Sequence, residues 1–396
     1  MARKPNILSQ SDLSRLKQEV VRRAGFTLLN PVDCERLSDA IIRRTKNYLS
    51  PSTLKRFWGF HTSGFNPSYQ TLDILAVYCG YDGWTSFVSP KVQKLHVTDE
   101  ELYFFKSIFN IKDYYNIQDH DETMQLVSRR IAERLRADPK AFEEILPELA
   151  KNTLAQIFYF EHFPDYDNLV SFQYKGYIEY LKNKVSPDAQ IFGNCLLFFR
   201  AFLLNDSDLM RKYFNILLKI EMPVDLHPMP MGRYYQCIIL YTHFVEKSSL
   251  DKLLKQIFQL ESKIPAIGLH FKNFPGFHYF VADSLVLTGH YKEAMLLIDK
   301  ASERYKIYKE FVWKGYYRQF QLMYAECYYA LKKPKKAQSL LLKINPDNFY
   351  FISRNYFKVR FNLLKIKISK RIDSNLLFET ESIIESCHFK VFSVAK

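Results

Sequence analysis

The recurrence of apolar, aromatic-rich segments at a regular spacing most constrains how this chain can fold. From about residue 153 onward the apolar pattern predicts helices in pairs, with a new pair every ~35–45 residues. The pairs fall near residues 153–185, 188–222, 231–264, 277–305, 316–345 and 355–388. A repeat of this size is typical of an α-solenoid, in which each pair buries its apolar face against its neighbours. The chain holds only 12 Gly beside 33 Phe and 27 Tyr, which favours helices packed by large side chains. We therefore predict an all-α protein.

Two of these pairs carry small residues where closely packed helices need them. The first has Ala282-Asp283-Ser284-Leu285, Gly289-His290-Tyr291-Lys292-Glu293-Ala294 and Ala301, and the second has Tyr324-Ala325-Glu326-Cys327, Ala330-Leu331, Ala337 and Pro346. Both units resemble tetratricopeptide repeats. The resemblance implies a helical-repeat domain whose concave groove binds a peptide or a partner protein, although no groove residue can be named from sequence.

The N-terminal quarter has a different organisation, with short helices separated by polar joints. A helix is predicted over residues 33–46, with Leu37, Ile41 and Ile42 on its buried face. It breaks at residues 47–49. An earlier helix is predicted from residue 11 to 24, and its end coincides with Gly25.

The next helix, over residues 50–60, has an unusually clear start. Ser50 suits an N-cap, and Pro51 sits where a first-turn proline is tolerated. Leu54 and Phe57 form its buried side. Its opposite side carries Ser52, Lys55 and Arg56.

A further helix is predicted to start at Asn66-Pro67-Ser68 and to stop at Gly80. It buries Leu72, Leu75 and Ala76. Trp84 and Phe87 then close this small domain as packing residues rather than as base-stacking platforms.

The stretch from 33 to 87 resembles the helix-turn-helix domain of the phage-repressor, or Cro-like, superfamily. The residues that carry the resemblance are 37–40 in the supporting helix, 49–57 in the reading helix, and 66–72, 75–76 and 80–81 in the helix that follows. The resemblance implies that the reading helix enters the major groove of duplex DNA.

Candidate DNA contacts follow from this resemblance and from the exposed side of the helix. Pro51, Ser52 and Arg56 match the base-contacting positions of the superfamily, and Lys55 shares their face. An arginine can make a bidentate contact to guanine. The expected phosphate contacts are Arg43, Arg44, Lys46, Ser50, His61 and Thr62.

The charge balance points the same way. The formal net charge is +14, and residues 1–95 hold 14 Lys and Arg against 7 Asp and Glu, a local excess of +7. Such an excess attracts polyanions such as nucleic acid. The alternative is a solvated face that serves only solubility.

Motifs for catalysis and for cofactors are absent from the sequence. There is no G-x-x-x-x-G-K-S/T, G-x-G-x-x-G, H-E-x-x-H or G-x-S-x-G, and the ten His form no i, i+4 pair. The six Cys are scattered without a Cys-x-x-Cys, which argues against zinc and disulfides and favours a reducing cytoplasm. We expect no enzyme activity, no cofactor and no metal. No apolar run is long enough to predict a membrane span.

The predicted organisation is a helix-turn-helix domain at 1–88, a linker and irregular helical segment at 89–152, and the solenoid at 153–396. The sequence therefore predicts a bacterial-type, cytoplasmic transcriptional regulator that binds double-stranded DNA as a homodimer and responds to a peptide or protein effector. One alternative is a non-enzymatic scaffold whose N-terminal bundle docks protein or RNA. Another is an accessory subunit of an enzyme.

Overall fold

The computed structural model describes residues 10–61, 67–81, 83–88, 97–110, 121–264, 275–307, 314–369 and 373–393. Within these ranges the regular structure is helical, and they contain no β-strand. The all-α prediction is therefore confirmed. No helix in the same ranges is both long and apolar enough to cross a lipid bilayer. The chain divides into two compact units, residues 1–95 and 96–396.

The described residues of the first unit form five helices around an apolar core. They are α1 Gln10–Ala24, α2 Asp33–Thr45, α3 Pro51–Trp58, α4 Tyr69–Cys79 and α5 Trp84–Val88. Fully buried leucines on α1 to α4 meet at the centre, and Trp84 and Phe87 of α5 pack against them. The two rings stack with centroids 5.5 Å apart, so they act as the packing residues that the sequence predicts.

The predicted starts of α3 and α4 and the predicted stop of α4 at Gly80 are confirmed, whereas α3 ends at Trp58 instead of the predicted residue 60. Ser50 and Ser68 each accept a hydrogen bond from the backbone N–H three residues later, as N-cap side chains do. Gly59 and Gly80 follow the two helices in the left-handed region, with φ of 85° and 99°. Only glycine reaches this conformation without strain, so these residues set the helix ends.

The buried face of α2 differs from the prediction at one position. Ile42 was expected in the core, but 37% of its surface is exposed. The residues that face the core are Cys34, Leu37, Ser38 and Ile41. Their spacing of i, i+3, i+4 and i+7 defines one helical stripe, and Ile42 lies about 100° around the helix from Ile41.

The second unit begins with three helices, α6 Asp99–Phe109, α7 Glu122–Leu135 and α8 Pro139–Lys151. Met124, Ile131 and Leu135 form the buried side of α7. These three helices lie in the range assigned from sequence to a linker and irregular segment. They contribute to the core of the second unit.

After short helical stretches at residues 153–161 and 166–173, the helices of eight or more residues follow in chain order. They are α9 Tyr174–Asn183, α10 Pro187–Leu203, α11 Ser207–Leu217, α12 Pro228–Tyr241, α13 Asp251–Glu261, α14 Gly276–Leu287, α15 Tyr291–Ile307, α16 Lys314–Ala330, α17 Pro334–Leu341, α18 Arg354–Ser369 and α19 Ser374–Cys387. Helices α10, α12, α14, α16 and α18 pack successively side by side. Helices α11, α15, α17 and α19 each pack against the helix that precedes them.

Two segments of the second unit that are far apart in the chain are in contact. Asp167 accepts hydrogen bonds from the backbone N–H groups of Asn355 and Tyr356, at the first turn of α18. Arg136 forms ion pairs with Asp165 at 2.6 Å and with Asp167 at 3.0 Å, and it also donates to the carbonyl of Phe351. We call the contact between residues 136–167 and 351–356 the junction, and its side chains are held together by these ion pairs and hydrogen bonds.

Candidate nucleic-acid interface

The start of α3 is fixed by local side-chain chemistry. The Oγ atom of Ser50 accepts from the N–H of Thr53 at 3.1 Å and lies 2.8 Å from the Thr53 hydroxyl. Pro51 occupies the first helical position, where its missing N–H leaves no hydrogen bond unmade. The sequence thus sets where this helix begins.

The orientation of α3 is fixed by its contact with α2. Leu54 and Phe57 are 0% and 5% exposed, so one side of the helix is held in the core. The turn before it is tied to α2, because Ser38 donates its hydroxyl hydrogen to the carbonyl of Leu49 at 2.6 Å. Lys46 ends α2 in the left-handed region and returns the chain toward α3. The opposite side of α3 must therefore face outward from this bundle.

Ser52 and Arg56 occupy that outward side. Both are exposed, and they lie one helical turn apart. The Nη2 atom of Arg56 donates to the Ser52 hydroxyl at 3.3 Å. Within the described part of the chain no carboxylate pairs with Arg56, so its guanidinium keeps most of its donors available.

Lys55 lies differently from its neighbours on α3. Its side chain is only 23% exposed, and its Nζ atom is 3.3 Å from the Oε1 atom of Glu35 on α2. The cation is therefore engaged inside the first unit. The four predicted base-contacting residues divide into an outward pair, Ser52 and Arg56, and two half-buried residues, Lys55 and Pro51.

The predicted phosphate contacts are also unequal. Arg43, Arg44, Lys46 and His61 are exposed in the first unit. Ser50 is half-buried, and its hydroxyl is already used in capping α3. Thr62 lies outside the described residues.

Two features of this surface were missed from sequence. Glu35 brings a carboxylate, 60% exposed, beside a predicted DNA-contacting lysine. Ser38 is a buried polar residue in an otherwise apolar stripe, and its small hydroxyl in that stripe was the available signal. The pairing of Glu35 with Lys55 had no such signal, because the two residues are 20 positions apart.

Lys17 and Cys34 show how closely this small core surrounds titratable groups. Lys17 of α1 lies 5.2 Å from the centre of the Phe57 ring, and partial burial lowers its pKa. Burial also raises the pKa of the Cys34 thiol, which favours the neutral and unreactive form. These residues support packing beneath α3 rather than chemistry on its surface.

Among the residues that the structure describes, no group of three or more His, Cys, Asp or Glu side chains converges in a way that could hold a metal ion.

Comparisons with family models, with curated proteins and with solved structures found no match to this chain.

Proposed function

We propose that the first unit binds double-stranded DNA, with α3 in the major groove and Arg56 reading a guanine. The observation that carries the proposal is the two-sided character of α3. Its apolar side is held in a core, while Ser52 and Arg56 project on the opposite side without a carboxylate partner among the described residues. Arginine bound to guanine O6 and N7 is the commonest specific contact in DNA recognition.

The surroundings of α3 support phosphate binding. Arg43, Arg44 and Lys46 are exposed at the end of α2, and the first 95 residues carry an excess of seven positive charges. Phosphate contacts position a protein on the duplex, whereas base contacts specify the sequence. We assign positioning to these cations and specificity to Arg56, with Ser52 orienting its guanidinium.

Lys55 has a secondary role in this proposal. Its ion pair with Glu35 occupies the ammonium group, so reaching a base requires that pair to open. An exposed ion pair contributes only about 0–1 kcal/mol, and a nearby phosphate can compete for the lysine. We therefore place Lys55 among the residues that contact the backbone rather than the bases.

The second unit is proposed as the regulatory part of a transcriptional regulator, which dimerises or senses a ligand without catalysis of its own. Adjacent packing of α10, α12, α14, α16 and α18 supports a helical-repeat architecture of the tetratricopeptide-like kind. A single reading helix covers a modest surface, so a homodimer bound to two half-sites is the working form that we propose.

The test uses the full-length chain and selection of preferred duplexes from a random pool. The selected duplex should bind with an affinity that falls steeply as salt rises. Arg56→Ala should lower discrimination at one base pair by about 1–3 kcal/mol. Arg44→Ala is the matched control, because it should weaken binding to all sequences alike and reduce the salt slope by about one.

The outcomes separate the rival functions. If Arg56→Ala and Arg44→Ala lower the affinity for every duplex equally, the first unit binds polyanions without reading their sequence. Absence of duplex binding at low salt would favour the interaction scaffold, in which the first unit docks protein or RNA.

A further inference from the structure

Arg233 is a buried cation in the middle of the second unit. It lies on α12 and is 2% exposed. The neighbouring Gly232 explains its depth, because a Cβ atom there would lie 2.6 Å from the Cα atom of Phe277. Helices α12 and α14 therefore approach backbone to backbone, and the long side chain of Arg233 extends into the interior.

Aromatic rings surround this guanidinium. Its Cζ atom lies 4.0 Å from the centre of the Phe280 ring, 5.3 Å from that of Phe192 and 5.6 Å from that of Tyr166. Nη1 donates to the Tyr166 hydroxyl at 2.9 Å. Cation–π contacts and this single hydrogen bond hold the guanidinium in place.

The rest of the guanidinium has no acceptor. Within the described residues Nε and Nη2 make no hydrogen bond, Nε is fully buried, and no carboxylate forms an ion pair with Arg233. Two other arginines of this unit differ, because the partly buried Arg136 pairs with two aspartates and the buried Arg360 pairs with Asp283 and Glu326.

A second unsatisfied donor lies one turn along the same helix. Gln236 is 1% exposed, and its Nε2 atom has no hydrogen-bond partner in the described part of the chain. Positions i and i+3 share one face of a helix, so the amide and the guanidinium project from the same side of α12. Buried polar groups without partners are rare and call for an explanation such as a bound molecule.

We propose that Arg233 and Gln236 form a binding site for a carboxylate group. Nε and Nη2 are adjacent parallel donors, which is the geometry that binds both oxygens of a carboxylate. The amide of Gln236 supplies a third donor. A buried guanidinium without a counter-charge is costly, and an anionic ligand removes that cost. The proposal rests on the sensing role proposed for the second unit and names the chemistry of its ligand.

The experiment measures thermal unfolding and binding heat of the full-length chain without DNA. The probes are sodium benzoate and the peptide Gly-Gly-Phe with a free carboxyl terminus. Benzamide, the peptide amide and sodium chloride at equal ionic strength are the controls. At least one carboxylate should raise Tm and bind, and its neutral counterpart should not. Benzoate alone indicates a small acid, and the free peptide alone indicates a peptide terminus.

Variants tie the effect to the site. Arg233→Met should weaken carboxylate binding at least about tenfold, and Gln236→Leu should weaken it by a smaller factor. Arg211→Met, at an exposed arginine of α11, should leave binding unchanged. If Arg233→Met fails to fold, carboxylate binding by Gln236→Leu, at a Tm equal to that of the wild type, decides whether the site exists.

The proposal is overturned if no carboxylate binds, or if Arg233→Met or a folded Gln236→Leu binds as the wild type does. Failure here leaves DNA binding by α3 intact, because that activity is measured separately with a duplex. If the full-length chain binds a carboxylate but no duplex, the proposed DNA binding is wrong and the carboxylate site stands.

Discussion

Asp167 accepts hydrogen bonds from the backbone N–H of Asn355, a residue 188 positions further along the chain. Both carboxylate oxygens lie 3.1 Å from that nitrogen. The contact places a negative charge at the first turn of α18, where the helix dipole is positive. It joins two segments of the second unit that are far apart in the chain.

Removal of this contact should weaken the whole second unit. Asp167→Ala leaves the N–H groups of Asn355 and Tyr356 without acceptors and removes one of the two anions beside Arg136. We expect a loss of about 3–5 kcal/mol in the free energy of unfolding, measured by urea titration. Asp347→Ala is the control, because its exposed pair with Lys358 should contribute about 0–1 kcal/mol. Equal losses for the two variants would contradict the proposed importance of the junction.

The buried aspartates at the junction should make stability depend on pH. Burial raises the pKa of Asp165 from its ordinary value of 3.8 to about 6, with Arg136 opposing the shift and Asp167 adding to it. The folded chain therefore holds this proton more tightly than the unfolded chain. The stabilisation from protonated Asp165 is complete below about pH 4 and is lost as the pH rises through 6.

Asp165→Asn removes this group from the buried, interacting pair that it forms with Asp167. The unfolding free energy of the wild type minus that of the variant should fall between pH 4 and 6, by at most about 1.4 kcal/mol per pH unit. The subtraction is needed because burial lowers the pKa of His162 to about 3, which gives the opposite slope in this window. Parallel curves for the two proteins would show that Asp165 does not titrate in this way.

Two serine caps provide a matched pair for testing the role of α3. Ser50 and Ser68 each cap a helix of the first unit through the same hydrogen bond. Alanine at either position should cost about 1 kcal/mol of stability. Only Ser50→Ala should also weaken binding to the selected duplex, because only α3 is proposed to enter the groove. If Ser68→Ala weakens duplex binding as much as Ser50→Ala does, the loss of binding comes from lower stability and not from α3.

The pair formed by Glu35 and Lys55 makes a prediction about charge at the interface. Glu35→Gln should change stability by less than about 1 kcal/mol, because the glutamate is 60% exposed. The same change frees Lys55 and removes a negative charge, so duplex affinity should increase most at low salt. Glu19→Gln removes another ion pair of the first unit and serves as the control when binding to the selected duplex is measured at low and high salt. Unchanged or weaker binding in Glu35→Gln would place Lys55 away from the duplex.

What could be predicted from sequence was local. The cap at Ser50, the start of α4 at Ser68, its stop at Gly80 and the buried side of α3 depend on neighbouring residues, and such signals are present in the sequence itself. Ile42 was placed in the core wrongly, because an apolar stripe through Ile42 has the same helical period as the true stripe through Ile41.

Long-range contacts could not be predicted in the same way. Asp165 and Asp167 are both buried, and both form ion pairs with Arg136. Their burial depends on residues 351–356, and no periodicity or spacing in the sequence indicates a contact across that distance.

The two buried arginines of α12 and α18 should respond oppositely to the same substitution. Arg360→Met leaves the carboxylates of Asp283 and Glu326 without their shared cation, so we expect a loss of about 3–5 kcal/mol in the free energy of unfolding. Arg233→Met removes a buried charge that has no carboxylate partner among the described residues. The apolar side chain of the new methionine can pack on the ring of Phe280. Its unfolding free energy in urea should be unchanged or higher by about 1–4 kcal/mol. If Arg233→Met is destabilised as strongly as Arg360→Met, the charge of Arg233 is already balanced within the fold, and its vacant donors no longer indicate a ligand.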